Sequence, residues 1–354
     1  MMGKRGWVWV CCVVGLAAGA WAQDTATKKN GLEDLQSKSV LSDEERGRLK
    51  EWITSHVAAI ANASGGALAP AAELRAAYTG TEAYKKAFAR TTIELIAQSY
   101  GRAGLVPATQ LIAIAGVFGD MAAHPVLLEA LKDKRVGVRT AAAASLSHMR
   151  SIIAQAGGTG VSTTLAALAA AGKQETSTVA LKSIYRAMDY QSVSPPAPPQ
   201  ANARALLELL DARAGQYAAG KAPAWGAETV AFPLMQRMAG SLGNAEKTRL
   251  IEDVGRVLVA AATRYTEKLM DIDDDSASPV DIQLRNITEQ LVIDAQALVV
   301  GLTKPGSNAP DVVAKMRKLD KTQMKLQLKA WAKVLAAKTG KTFDVDARAG
   351  KWTE

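Results

Sequence analysis

Cysteine is almost missing from this chain. Cys11 and Cys12 are the two it has, and both lie in the apolar run from Val8 to Ala20 that follows Lys4 and Arg5. Positive charge, a 13-residue apolar core and the small-x-small box Ala20-Trp21-Ala22 make the order of a secretory signal peptide. A membrane-spanning helix needs about 20 residues, so residues 1–22 are expected to be cleaved after Ala22 and the product to be periplasmic or secreted. Neither cysteine directly follows a small-residue box of the kind that precedes an acylated cysteine. Cleavage there leaves 332 residues without a thiol, which excludes disulfides, thiolate metal sites and a thiol nucleophile from the product. Its stability must come from packing.

Aromatic residues are also few, at 5%, and β-branched runs are scarce. Alanine stands in their place, in runs such as Ala141 to Ala144, Ala166 to Ala171 and Ala260 to Ala262. Alanine has the best helix propensity and lets helix axes come close, so the chain reads as all-α. No run of 18 or more apolar residues follows the leader, and the cleaved product is expected not to span a membrane. Its length suits about two domains or one elongated repeat array.

Histidine is limited to His56, His124 and His148, far apart in sequence. No HExxH pair and no GxSxG elbow is present, so capping or surface roles are favoured over zinc binding or general-base chemistry. Lys338-Thr-Gly340-Lys341-Thr342 has the ending of a phosphate-binding loop, but Leu335 stands where the leading glycine belongs and a helix precedes it. Gly340 is better read as a left-handed helix stop. No cofactor is expected.

One acidic cluster has metal-like spacing. Asp271, Asp273 and Asp275 sit at the intervals of the first ligands of a calcium loop, and calcium takes about six to eight oxygens. Ser276 replaces the turn glycine, Pro279 intrudes and Ile282 stands where the bidentate glutamate belongs. The cluster is a weak calcium candidate, and the alternative is a solvated acidic loop leading into a helix that Ser278 caps, Pro279 begins and Asp281 supports.

Charge is segregated along the chain. Residues 23–303 carry 29 basic and 29 acidic side chains, whereas residues 304–354 carry 12 basic and five acidic ones. A helix is predicted over Asp311 to Lys338, with Val312, Met316, Leu319, Leu326, Ala330 and Val334 as its apolar stripe. Lys315, Lys318, Lys325, Lys329 and Lys333 recur at three, four or seven on another face. That face is either the solvated side of a terminal capping helix or a landing strip for an anionic polymer or membrane headgroups. Export disfavours nucleic acid.

Residues 23–41 are polar and read as a flexible leader. Ser42 with Glu45 forms a capping box for a helix through Leu49, Trp52, Ile53, Val57 and Ile60, stopped at Ala63-Ser64-Gly65-Gly66. Helices are predicted over Pro70 to Ala77 and Glu82 to Tyr100, then Ala108 to Ala122. Pro125 to Leu146 gives a helical hairpin: Leu127, Leu128 and Leu131 share one face, Asp133-Lys134-Arg135 makes the turn, and Val136, Val138, Ala142 and Leu146 restart the stripe.

Pro125-x-Leu127, Leu131-x-Asp133, Val138-Arg139 and the alanine-rich helix to Leu146 resemble a HEAT repeat of the bacterial HEAT-like or PBS-lyase type. The resemblance implies antiparallel helix pairs stacked as an α-solenoid, with Asp133 and Arg139 joining neighbouring turns rather than doing chemistry. A weaker unit follows, with helix Leu165 to Ala171, a break at Gly172-Lys173-Gln174 and a second helix from Val179. Val179 lies 41 residues after Val138, inside the about 40 to 47 residues of this repeat class.

The HEAT-like region is thus 42–191. Residues 192–200, SVSPPAPPQ, read as an extended polyproline stretch, either a linker or a long loop between consecutive helix pairs. Beyond it, 201–354 is a C-terminal helical region with helices over Ala201 to Ala218, Glu228 to Leu242, Ala245 to Met270 and Val280 to Leu302 before the basic one. Its FDVDARAGKW tail resembles tails that follow helical repeats in other exported bacterial proteins, with Phe343 and Trp352 docking on the last helices.

The pattern as a whole suggests a non-enzymatic interaction scaffold of the bacterial cell envelope, binding a protein or an anionic envelope polymer on its repeat surface. Two alternatives stand beside it: polyanion or membrane-surface binding through the basic helix, and an enzyme with a dispersed carboxylate site.

Overall fold

Short polar side chains set where the helices begin. The Ser42 hydroxyl accepts from the Glu45 N–H at 3.3 Å while the Glu45 carboxylate accepts from the Ser42 N–H at 2.9 Å, closing the predicted capping box. Thr81, Ser177, Ser278, Asp311 and Asp320 cap later helices in the same way with one bond each. The structure is a computed structural model, and it describes residues 31–194, 198–272, 276–306 and 309–345.

The described residues form an all-helical protein without strands. The order is α1 (Glu33–Gln36), α2 (Asp43–Ala61), α3 (Leu68–Ala77), α4 (Glu82–Ser99), α5 (Leu105–Val117), α6 (Ala123–Ala130), α7 (Val136–His148) and α8 (Arg150–Gln155). There follow α9 (Gly158–Gln174), α10 (Thr178–Ala187), α11 (Pro199–Ala218), α12 (Glu228–Met238), α13 (Asn244–Arg264), α14 (Pro279–Thr303), α15 (Val312–Met316) and α16 (Lys321–Thr339). Among them no helix is long and apolar enough to cross a membrane.

Packing follows chain order. α5 lies on α7, α7 on α10, α10 on α12 and α12 on α14, while α9 lies on α11, α11 on α13 and α13 on α16. One hydrophobic cluster runs through these contacts on both sides of residues 192–200. Tyr190 and Asn202 meet across that stretch, the Tyr190 N–H donating to Asn202 Oδ1 at 3.1 Å. Pro198 and Pro199 lead directly into α11, and positions 195–197 lie outside the described residues, as does the whole predicted signal peptide.

Small residues let the helices approach. A Cβ added at Gly116 of α5 would sit 2.3 Å from Ser145 Cβ and 2.9 Å from Ser145 Cα on α7. At Gly172 of α9 it would sit 2.7 Å from Leu209 Cδ2 on α11. Gly172 therefore does not break its helix as predicted: α9 continues to Gln174, and the glycine is used for close contact instead.

Four further expectations are corrected. The flexible leader is docked over residues 31–41: Leu32, Leu35 and Leu41 are buried, and the Thr81 N–H donates to Gln36 O at 2.8 Å, because α1 lies against α4. The basic terminal helix is two helices. Leu319 takes φ +52° between α15 and α16, and the Asp320 carboxylate caps α16 by accepting from the Gln323 N–H at 2.9 Å. This turn shifts the register, so Met324, Leu328, Trp331 and Leu335 form the buried face, while Leu319 and Leu326 are exposed. The predicted helix Ala245 to Met270 is α13 followed by a π turn, Tyr265–Leu269. In the hairpin, Leu127, Leu131, Val138, Ala142 and Leu146 are buried as expected, but Val136 is exposed at the first position of α7.

Candidate functional site

Asp133 and Arg139 both act across the helix stack, through partners the sequence did not name. Asp133 accepts from Arg135, Nε at 2.9 Å and Nη2 at 2.7 Å, and the same guanidinium donates back to the Ala103 carbonyl at 2.6 Å and the Tyr100 carbonyl at 3.2 Å. Arg139 grips Glu175 with two bonds of 2.7 and 2.8 Å and also donates to the carbonyls of Asp133 and Lys134. Burial pushes the Glu175 carboxyl up, but the Arg139 guanidinium and the N–H groups of Ser177 and Thr176 together hold it below the usual carboxylate range. Arg150 extends the pattern, donating to the carbonyls of Arg186 at 3.1 Å and Asp189 at 2.5 Å. Each of these groups is saturated by structural partners.

A second network is fully buried at the junction of α10, α11 and α12. Glu228 accepts from Arg213 Nε at 2.7 Å and from the hydroxyls of Tyr185 and Tyr217, and Arg213 also donates to the Pro223 carbonyl at 2.6 Å. Burial, with the Glu228 charge adding to it, drives both tyrosines well above their ordinary value. The Tyr217 oxygen in turn accepts from the Gly226 N–H at 2.9 Å. Gly226 has φ +75°, and a Cβ there would come within 2.0 Å of Ile287 Cγ2, so only glycine lets this loop lie against α14. Trp225 Nε1 donates to Thr288 Oγ1 at 2.8 Å, and the Arg264 guanidinium lies 4.3 Å from the Trp225 ring centre. The network thereby fixes α14 beside α10 and α12.

The space left between those three helices is an open groove of about 500 Å³. It is lined by Lys182 of α10, Thr229 of α12, and Pro279, Ile282, Gln283, Asn286, Ile287 and Gln290 of α14. Spacings of three and four put Gln283, Asn286 and Gln290 on one side of α14. Gln283 and Asn286 are exposed and hydrogen-bond to no described residue, whereas Gln290 donates to Asp294 at 2.8 Å. Lys182 is half-buried and forms no ion pair with any described residue. Burial, then the neighbouring Arg186 charge, lowers its pKa against the opposing pull of Glu228. Sequence reasoning missed this groove because its residues come from three separated segments.

The other predicted residues are placed apart from it. Lys318, Lys325, Lys329 and Lys333 are exposed on the turn and on α16, and Lys315 is half-buried on α15. They share that surface with Leu319 and Leu326. Asp271 is exposed and pairs with Lys321, while Asp273 and Asp275 lie outside the described residues. Among the described residues no group of three or more His, Cys, Asp or Glu side chains is placed to hold a metal ion. His56 stacks on Trp52 and reaches Glu73 at 2.9 Å, His124 meets Thr164 Oγ1 at 2.7 Å, and His148 is exposed.

The remaining buried acid is Asp253 on α13, near Asp211 of α11. Neither Asp253 oxygen accepts a hydrogen bond, Arg256 comes no nearer than 3.9 Å, and the group within hydrogen-bonding reach of the Asp253 carboxyl is the Asp211 carboxylate. Burial, reinforced by the Asp211 charge, pushes Asp253 up to about 8, while Asp211 pairs with Arg249. This pair lines no part of the groove.

No family model, no curated protein and no solved structure matches the chain. The resemblance of residues 125–146 to a HEAT repeat therefore rests on its own residues.

Proposed function

We propose that the protein is a non-enzymatic scaffold, an exported HEAT-like α-solenoid of the cell envelope that binds a polypeptide partner on its helical surface. Successive packing of α5, α7, α10, α12 and α14 in chain order supports the solenoid reading. The observation that carries the binding reading is the groove, whose exposed Gln283 and Asn286 amides bond to no described residue while the buried Arg213 and Glu228 network is closed. Exposed amides beside Ile282 and Ile287 suit the mixed polar and apolar surface of a peptide.

The test uses the full chain as bait in envelope extract, beside an Ile282→Asp, Ile287→Asp variant of unchanged helicity. A defined polypeptide retained by the parent and lost from the variant is the expected result. Retention of none by the parent overturns the reading.

A second reading is favoured by one specific feature, the exposed leucines set among lysines. Leu319 and Leu326, flanked by Lys318, Lys325 and Lys329, give the C-terminal surface an apolar and cationic character suited to an anionic polymer or lipid surface. Binding to phosphatidylglycerol vesicles should weaken steeply with salt and vanish when Lys318, Lys325 and Lys329 become glutamate. Unchanged binding in that variant leaves only the role of a terminal capping helix.

A further inference from the structure

We infer that the groove between α10, α12 and α14 recognises an extended acidic segment of its partner, with a carboxylate of that segment paired to Lys182 and its backbone held by Gln283 and Asn286. This rests on the scaffold reading and names the class of polypeptide it takes.

A half-buried ammonium group without a counter-charge is costly, since desolvation disfavours its charged form. Lys182 is in that position. Among the described residues the one acid that acts on it is Glu228, and both Glu228 oxygens are already committed to Arg213, Tyr185 and Tyr217. Arg186, one helical turn further along α10, adds more positive potential. The groove therefore has a standing demand for one negative charge that the described part of the chain does not meet.

The rest of the lining selects what carries that charge. Gln283 and Asn286 each present a donor and an acceptor, about 4.5 Å apart along the helix axis, which suits the alternating N–H and C=O groups of an extended backbone. Ile282 and Ile287 add apolar wall. A phosphate polymer would call for several cations, and the lining holds only one. A neutral glycan would leave Lys182 unanswered.

The experiment titrates the full chain against a fluorescein-labelled (Glu-Gly-Val)4 peptide and its glutamine counterpart by anisotropy, at two salt concentrations. Lys182→Gln should weaken the acidic peptide at least tenfold, Lys182→Arg should restore it, and Gln283→Ala with Asn286→Ala should weaken both peptides. Replacing Lys325 and Lys333 by glutamine, on the other surface, should change nothing. Equal binding of the two peptides, no binding of either, or indifference to Lys182→Gln overturns the inference. So does an alginate oligomer that binds more tightly than the acidic peptide in a Lys182-dependent way. Where the extract still yields a groove-dependent polypeptide, the scaffold reading survives that failure; where it does not, both fall.

Discussion

Arg139 and Glu175, 36 residues apart, are joined by two parallel hydrogen bonds, with the carboxylate almost wholly out of solvent. A bidentate arginine pair of this kind fixes both distance and angle between the segments it joins. It ties the start of α7 to the loop that begins α10.

Removing one half of that pair leaves a buried charge unanswered. Arg139→Ala is expected to cost about 3 to 5 kcal/mol, and replacing both partners by methionine should recover much of the loss. Urea unfolding midpoints measure both. Because Glu175 is held below the ordinary carboxylate range, its contribution is complete above the unfolded pKa and is lost as pH falls through the lowered value.

Asp253 has the opposite sign. Its folded form keeps a proton up to about 8 while the unfolded chain releases it near 3.8. Stability should therefore fall as pH rises between those values, by at most about 1.4 kcal/mol per unit. Asp253→Asn should remove the slope and be more stable than the parent at pH 7. Thermal melts from pH 5 to 9 decide it, and a parallel slope in the variant refutes the assignment.

The two close-contact glycines should differ in tolerance. At Gly116 the added methyl meets the Cβ and backbone of Ser145, which cannot yield without moving α7, so Gly116→Ala is expected to cost about 2 to 3 kcal/mol. At Gly172 it meets only side-chain methyl groups, both of Leu209 and one of Leu181, and a new Leu209 rotamer should keep the loss nearer about 1 kcal/mol. Denaturant curves of the two variants give the order.

The docked segment before α2 gives a further measurement. Leu35 is fully buried, and Leu35→Ala should cost about 2 to 5 kcal/mol. Proteolysis at residues 31–41 should then outpace cleavage of the parent. Equal protection in the two proteins would mean that this segment adds nothing to the fold.

What was legible in the sequence is local. Ser42 with Glu45, Ser278 before Pro279, and Gly340 each settle a helix end through groups within a few residues, and all three stand where predicted. Signals with two meanings misled. Gly172 reads as a break by propensity but serves close packing, and Asp320 looks like one more charge on a helix but starts a new one. Leu32 and Leu35 look incidental in a polar stretch because their burial depends on α4, about 50 residues further on. The groove was least legible, since Lys182, Thr229 and Asn286 become neighbours only after α10, α12 and α14 have packed.

The contact of Gly226 with Ile287 also bears on how the proposed partner would arrive. To prise α14 from α12 would break the Trp225 to Thr288 bond and open the buried Arg213 and Glu228 pair to water. The groove is thus held in one shape before anything enters it, and association is expected to lose little free energy to rearrangement of the protein. For the proposed acidic segment, selectivity would then fall to the incoming chain, which would have to be extended already, or become so, to fit.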